Sequence, residues 1–120
     1  MDTQSTVTTK SGITKIGKPV SPELPKVKDA NVNFRDRLND VLATEKHNLI
    51  TYQIAINEMI NDDLRNVLLD GRNRLQEVQV RFFNELFNIG EYQADIATIA
   101  HIADTAEVFN NYTVQLPYKQ

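Results

Sequence analysis

The chain has no cysteine among its 120 residues. That removes disulfides, thiolate metal sites and cysteine nucleophiles together, and it fits synthesis in a reducing compartment. The N-terminus lacks the apolar run of a signal peptide. No stretch approaches the ~20 apolar residues that cross a bilayer. These absences lead us to expect a soluble protein without a membrane span that stays inside the cell that makes it. A dense basic patch or stripe is also missing, so no nucleic-acid partner is expected. The sequence holds no Gly-rich phosphate loop, no dinucleotide fingerprint and no Ser-His-Asp set with useful spacing. Neither an active site nor a cofactor is therefore expected, and the chain reads as a non-enzyme of one domain.

Charge is distributed unevenly along the chain. Residues 1–30 carry Lys10, Lys15, Lys18, Lys26 and Lys28 against Asp2, Glu23 and Asp29, a net of +2, whereas residues 31–120 carry a net of −5. Thr, Ser, Lys and Gly dominate as far as Lys18, and Pro19, Pro22 and Pro25 then recur every third residue. Such a stretch reads as a disordered tail over 1–32 ending in an extended spacer. Its scattered apolar residues, Ile13, Ile16, Val20, Leu24 and Val27, are too few to offset the entropy of ordering it alone. They could instead dock on a partner.

Order is expected from Asn33, where a capping Asn precedes Asp36 by three residues. No Gly or Pro interrupts Phe34 to Ile60, and Leu38, Val41, Leu42, Leu49, Tyr52, Ile56, Met59 and Ile60 share one face at the 3.6-residue period. This predicts a helix over 34–60, about 39 Å long. Asn61, Asp62 and Asp63 signal a break and restart. A second helix is predicted over 62–89 with a stripe of Leu64, Val67, Leu68, Gly71, Leu75, Val78, Phe82, Leu86 and Ile89, stopped by Gly90. So short a connection makes the pair an antiparallel hairpin. A third helix is predicted over 94–110, with Ile96, Ile99, Ala103, Ala106 and Phe109 on one face, and residues 111–120 form a tail. The expected class is all-α: a helical domain over 33–110, a ferritin-like bundle of a hairpin plus a third helix, completed by dimerisation.

A second apolar strip lies ~100–140° from the main stripe at 100° per residue. It comprises Ala43, Ile50 and Ile54 on the first helix and Leu69, Val80 and Phe87 on the second. A two-helix hairpin cannot bury both strips. The third helix can cover one, and the remainder points to a homodimer or higher assembly. The alternative is a monomer with a half-wetted strip.

A long helical hairpin invites a test for a di-metal centre, which needs converging carboxylates and Glu-x-x-His pairs. Glu45 lies within the core stripe of the first helix, and a buried carboxylate is costly unless paired or bound to metal. The second helix offers nothing opposite it. No Glu-x-x-His occurs, Glu58, Glu77 and Glu85 point away, and His47 and His101 fall on outer faces. Glu45 is thus a lone candidate ligand, and no metal is expected. Arg72, Arg74 or an opening beside Gly71 would satisfy it. In the C-terminal tail, Tyr112, Gln115, Tyr118, Lys119 and Gln120 are residue types that cross-link oxidatively or through isopeptide bonds. In an insoluble layer they would form a cross-linking handle.

Phe34 to Tyr92 resembles the coat F domain of endospore-forming bacteria. The resemblance is carried by the string from Arg35 to Leu42, then Lys46, Tyr52, Ala55 and Glu58, then Asn61 with Leu64-Arg65, and last Gly90-Glu91-Tyr92. Family members often have Trp where this chain has Glu91, and Glu and His where it has Gln76 and Gln79. The resemblance implies a ferritin-like hairpin that is a structural component of the spore coat, and the departures at Gln76 and Gln79 lead us to expect no metal function here. It implies synthesis in the mother-cell cytoplasm, deposition on the spore, and partners among other coat proteins and copies of itself. A metal-binding protein or oxidoreductase, and an adaptor recruiting a partner through its N-terminal tail, stand as alternatives.

Overall fold

A computed structural model describes residues 1–25 and 30–117 of the chain. Two long helices form its body. Helix α1, Phe34–Glu58, starts at a capping box: the Asn33 side chain accepts from the Asp36 amide at 3.0 Å, and the Asn33 amide donates to the Asp36 carboxylate at 3.2 Å. Helix α2, Asp62–Asn88, follows after three residues and is capped by Asn61, which accepts from the Leu64 amide at 3.0 Å. The Arg65 guanidinium bridges the turn, bonding both Asp62 and the Met59 carbonyl. The short connection folds α2 back antiparallel along α1.

Parts of the two expected stripes turn inward, with Leu38, Leu42 and Ile56 of α1 and Leu86 of α2 buried, whereas Ile60, Leu64, Val67 and Val78, expected in the same stripes, are exposed. Leu38, Leu42 and Leu86 are buried together, with Phe82, Phe83 and Ile89 packed around them. Nearer the turn the contact is closer. Gly71 sits under the Tyr52 ring, where an added Cβ would lie 2.9 Å from a ring carbon. A mid-helix glycine costs about 1 kcal/mol in propensity. Here the missing side chain leaves room for the Tyr52 ring close against α2.

Helix α2 stops at a Schellman motif. The Gly90 amide bonds the Phe87 carbonyl at 3.1 Å and the Glu91 amide bonds the Leu86 carbonyl at 3.0 Å, with Gly90 at φ +79°.

The fold is mostly helical, but the all-α expectation needs correction. Strands β1, Thr6–Thr8, and β2, Thr14–Ile16, form an antiparallel hairpin, and β3, Ala94–Asp95, pairs with β2. The three make one sheet in the order β1-β2-β3. Residues 6–16 were expected in a disordered tail. Thr and Val favour extended backbone, and the partner that steadies them is supplied from 78 residues further along the chain, Ile16 lying opposite Ala94.

The segment after β2 lies across the end of α2. The Ser21 amide donates to the Ile89 carbonyl at 2.9 Å, Gln93 donates to the Lys18 carbonyl at 3.2 Å, and the Arg35 guanidinium reaches the Pro25 carbonyl at 3.3 Å. Leu24 is buried. Of the remaining expected tail, residues 26–29 lie outside the described residues.

The third helix also differs from expectation. Helix α3 runs from Ile99 to Tyr112 rather than from residue 94, because β2 captures Ala94 and Asp95 and Thr98 then caps the helix through the His101 amide at 3.2 Å. It does not cover the hairpin. None of its residues is buried, and among the described residues the only helix or strand it touches is the 3₁₀ turn Thr113–Gln115 that follows it. The chain is correspondingly open, with a radius of gyration of 20.1 Å against about 14 Å for a compact domain of this length.

Candidate functional site

The strip named from the sequence falls on one side of the hairpin. Ile50 and Ile54 are 60% and 59% exposed and Val80 is 43% exposed. Ala43 is exposed and Leu69 half-buried. Phe87 departs from this set. It is only 2% exposed, at the end of α2 where the segment following the strands lies, Ser21 bonding Ile89 and Pro19 passing close to Gly90. Five of the six residues therefore remain on a surface strip, and Phe87 belongs to the interior.

Between the two helices this face holds an open groove of about 340 Å³, lined by Leu49, Ile50, Gln53, Arg72, Asn73 and Gln76. Arg72 donates to the Gln53 side chain at 2.9 Å and to the Asn73 side chain at 3.1 Å. It is therefore not the partner of Glu45, as the sequence had offered. Arg74 forms no ion pair with Glu45 among the described residues. Glu45 is half-buried, and one carboxylate oxygen is shut from solvent without a hydrogen-bond partner. Among the described residues no three His, Asp or Glu side chains converge where they could hold a metal ion. His47 and His101 are both exposed.

At the far end of the hairpin the ring of Tyr92 meets Phe83 edge-on, with centroids 4.3 Å apart, and the Lys46 ammonium lies 5.7 Å from the Tyr92 ring centre. Sequence reading missed this cluster, because its members lie on three separate segments. Arg35 was read only as part of a helix start. Its side chain is 14% exposed and faces Glu91 at 3.8 Å, tying the start of α1 to the exit of α2. Of the tail residues, Tyr112 and Gln115 are exposed, and Tyr112 stacks edge-on with Phe109 at 6.2 Å. Tyr118, Lys119 and Gln120 lie outside the described residues.

Outside the hairpin, α3 carries a second uncovered apolar face. Ile99, Ile102 and Phe109 are 87%, 57% and 66% exposed. No helix among the described residues is long and apolar enough to cross a membrane.

Comparison with known proteins agrees with the helical body. The Coat F domain family matches residues 34–95, from the first residue of α1 to the last of β3. The uncharacterized protein YusN of Bacillus subtilis (strain 168) is 24% identical over 101 residues, covering 83% of this chain and 92% of that protein. No solved structure matches the chain. The family match takes in more than half of the 120 residues, and the chain belongs to the Coat F domain family, a family of spore coat proteins.

Proposed function

We propose that this chain is a structural building block of the spore coat, assembling with itself and with other coat proteins rather than acting as an enzyme. It would be made in the mother cell and laid down on the forespore. The observation that carries this reading is the uncovered apolar strip of Ile50, Ile54 and Val80 on the hairpin. A helix pair with one buried and one wetted apolar strip is half of a bundle, and exposed patches of this kind mark interfaces.

The competing readings have less support. A ferritin-like metal protein requires several converging ligands, and among the described residues Glu45 belongs to no group of three that could hold a metal ion. An adaptor needs a free N-terminal segment, yet Ser21 and Lys18 are bonded to the end of the hairpin and Leu24 is buried.

Ile54→Lys tests the proposal. Its side chain faces solvent, so helix content by circular dichroism should be unchanged while self-association weakens tenfold or more. An unchanged solution mass would rule out this strip as an interface.

A further inference from the structure

We infer that α3 of one copy docks on the Ile50–Val80 face of a second copy, the two copies exchanging these helices reciprocally. The inference rests on the self-assembly reading above and names the surfaces that meet.

Two apolar faces in the same chain lack a cover, and they match in length. The face of α3 consists of Ile99, Ile102, Ala103, Ala106 and Phe109, spaced for one side of a helix. Its 14 residues span about 21 Å. The strip on the hairpin runs from Ala43 to Ile54 along α1 and from Leu69 to Val80 along α2, each about 16 Å. Ala97, Ala106 and their neighbours His101, Ile102 and Thr105 line a hollow of about 560 Å³ beside α3, open to a branched side chain such as Ile50 or Ile54.

Charge favours the same pairing. Helix α3 carries Asp104 and Glu107 and neither Lys nor Arg. The hairpin groove carries Arg72, bonded only to neutral Gln53 and Asn73, and Lys46 lies further along the same side over Tyr92. Neither cation is in an ion pair among the described residues. With the apolar face of α3 laid in the groove, Glu107 at the edge of that face would supply a partner for one of these cations.

The take-off of α3 directs it to another copy. Asp95 is fixed to β2 by strand pairing and by the Lys15 ion pair at 3.0 Å. Four residues later α3 begins, and apart from the 3₁₀ turn that follows it no helix or strand among the described residues lies against it. Reciprocal exchange covers both faces of both copies at once and closes the assembly on a two-fold axis.

The test uses two full-length variants, Ile102→Asp, which spoils the α3 face, and Ile50→Asp, which spoils the groove. Each is measured by light scattering alone and then mixed one to one. The inference predicts that each variant alone falls to monomer mass, and that the mixture regains dimer mass because the intact groove of one takes the intact α3 of the other. If Ile102→Asp keeps the wild-type mass while Ile50→Asp dissociates, assembly occurs without α3 and the inference fails, though the self-assembly reading survives. A mixture that stays monomeric also overturns the exchange. A wild-type chain that is monomeric at every concentration, its α3 closing on its own hairpin or remaining free, overturns both. Should either Asp variant lose helix by circular dichroism, Phe109→Ser and Val80→Ser give the same readouts with a milder change.

Discussion

Gly90 is the point where the helical body holds the N-terminal segment, and replacing it should loosen one from the other. Two costs arise in Gly90→Ala. The first is local: φ is +79°, and a side chain in that region costs about 1–2 kcal/mol. The second is steric. The new Cβ would lie 2.3 Å from the Pro19 carbonyl oxygen, 2.4 Å from its carbon and 2.6 Å from the Val20 nitrogen. All three are backbone atoms, so no rotamer change relieves the overlap and the segment must lift away.

Lifting it breaks the Ser21–Ile89 and Gln93–Lys18 hydrogen bonds, worth about 1 kcal/mol each, and exposes Leu24, worth about 2 kcal/mol. The released segment regains conformational entropy that offsets part of this loss. The net destabilisation is about 2–4 kcal/mol, or roughly 8–16 °C in Tm at about 4 °C per kcal/mol. Limited proteolysis should then cut between residues 17 and 25 in the variant and not in the wild type. Gly90→Asn separates the two costs. Asn tolerates positive φ but brings the same Cβ, so it should be nearly as damaging as Ala. An Ala variant with wild-type Tm and a protected segment would refute the close approach at Pro19.

Three further outcomes can be checked on the purified chain. Leu86→Ala removes the most fully buried side chain and should cost about 2–5 kcal/mol in chemical denaturation. Asn33→Ala removes the side-chain half of the capping box, the bond from the Asp36 amide, and should cost about 1 kcal/mol, with faster amide exchange in the first turn of α1. The Asp2 carboxyl is held below its ordinary range, first by the Ser5 hydroxyl and then by the Gln4 amide. A lowered folded value means its contribution is present at neutral pH and is lost as pH falls through that value. Ser5→Ala should therefore raise the titration midpoint of Asp2 followed by NMR.

Much of the helical body was legible because its signals are local. Asn33 with Asp36, Asn61 with Asp62 and Asp63, and Gly90 mark ends through chemistry within four residues. The stripe repeats often enough to place Leu38, Leu42, Ile56 and Leu86 inside, but near the turn it failed, because Ile60, Leu64, Val67 and, further along, Val78 have no facing element among the described residues to cover them and are exposed. The sheet was not legible, since strands of two and three residues hold too little alternation to read and β3 reaches β2 from the opposite end of the chain. Phe87 was assigned to the outer strip by its angle on the helix alone. It is buried at the end of α2 where the segment following the strands lies, which a helical projection does not show. Helix α3 was recognised from its Ile and Ala spacing, but its docking on the hairpin was inferred from the need to cover apolar surface. That need is real, and in a single chain it is left unmet. Glu45 illustrates a different limit: its place in the core stripe was readable, whereas the engagement of Arg72 by Gln53 depends on side-chain geometry across the groove.

The central claim is that this Coat F chain is an assembly module. Its most direct test is the solution mass of the full-length protein by light scattering across a dilution series, on material neither heated nor treated with chelator. The account predicts a defined dimer or larger oligomer that dissociates only on strong dilution. A monomer at every concentration would contradict it.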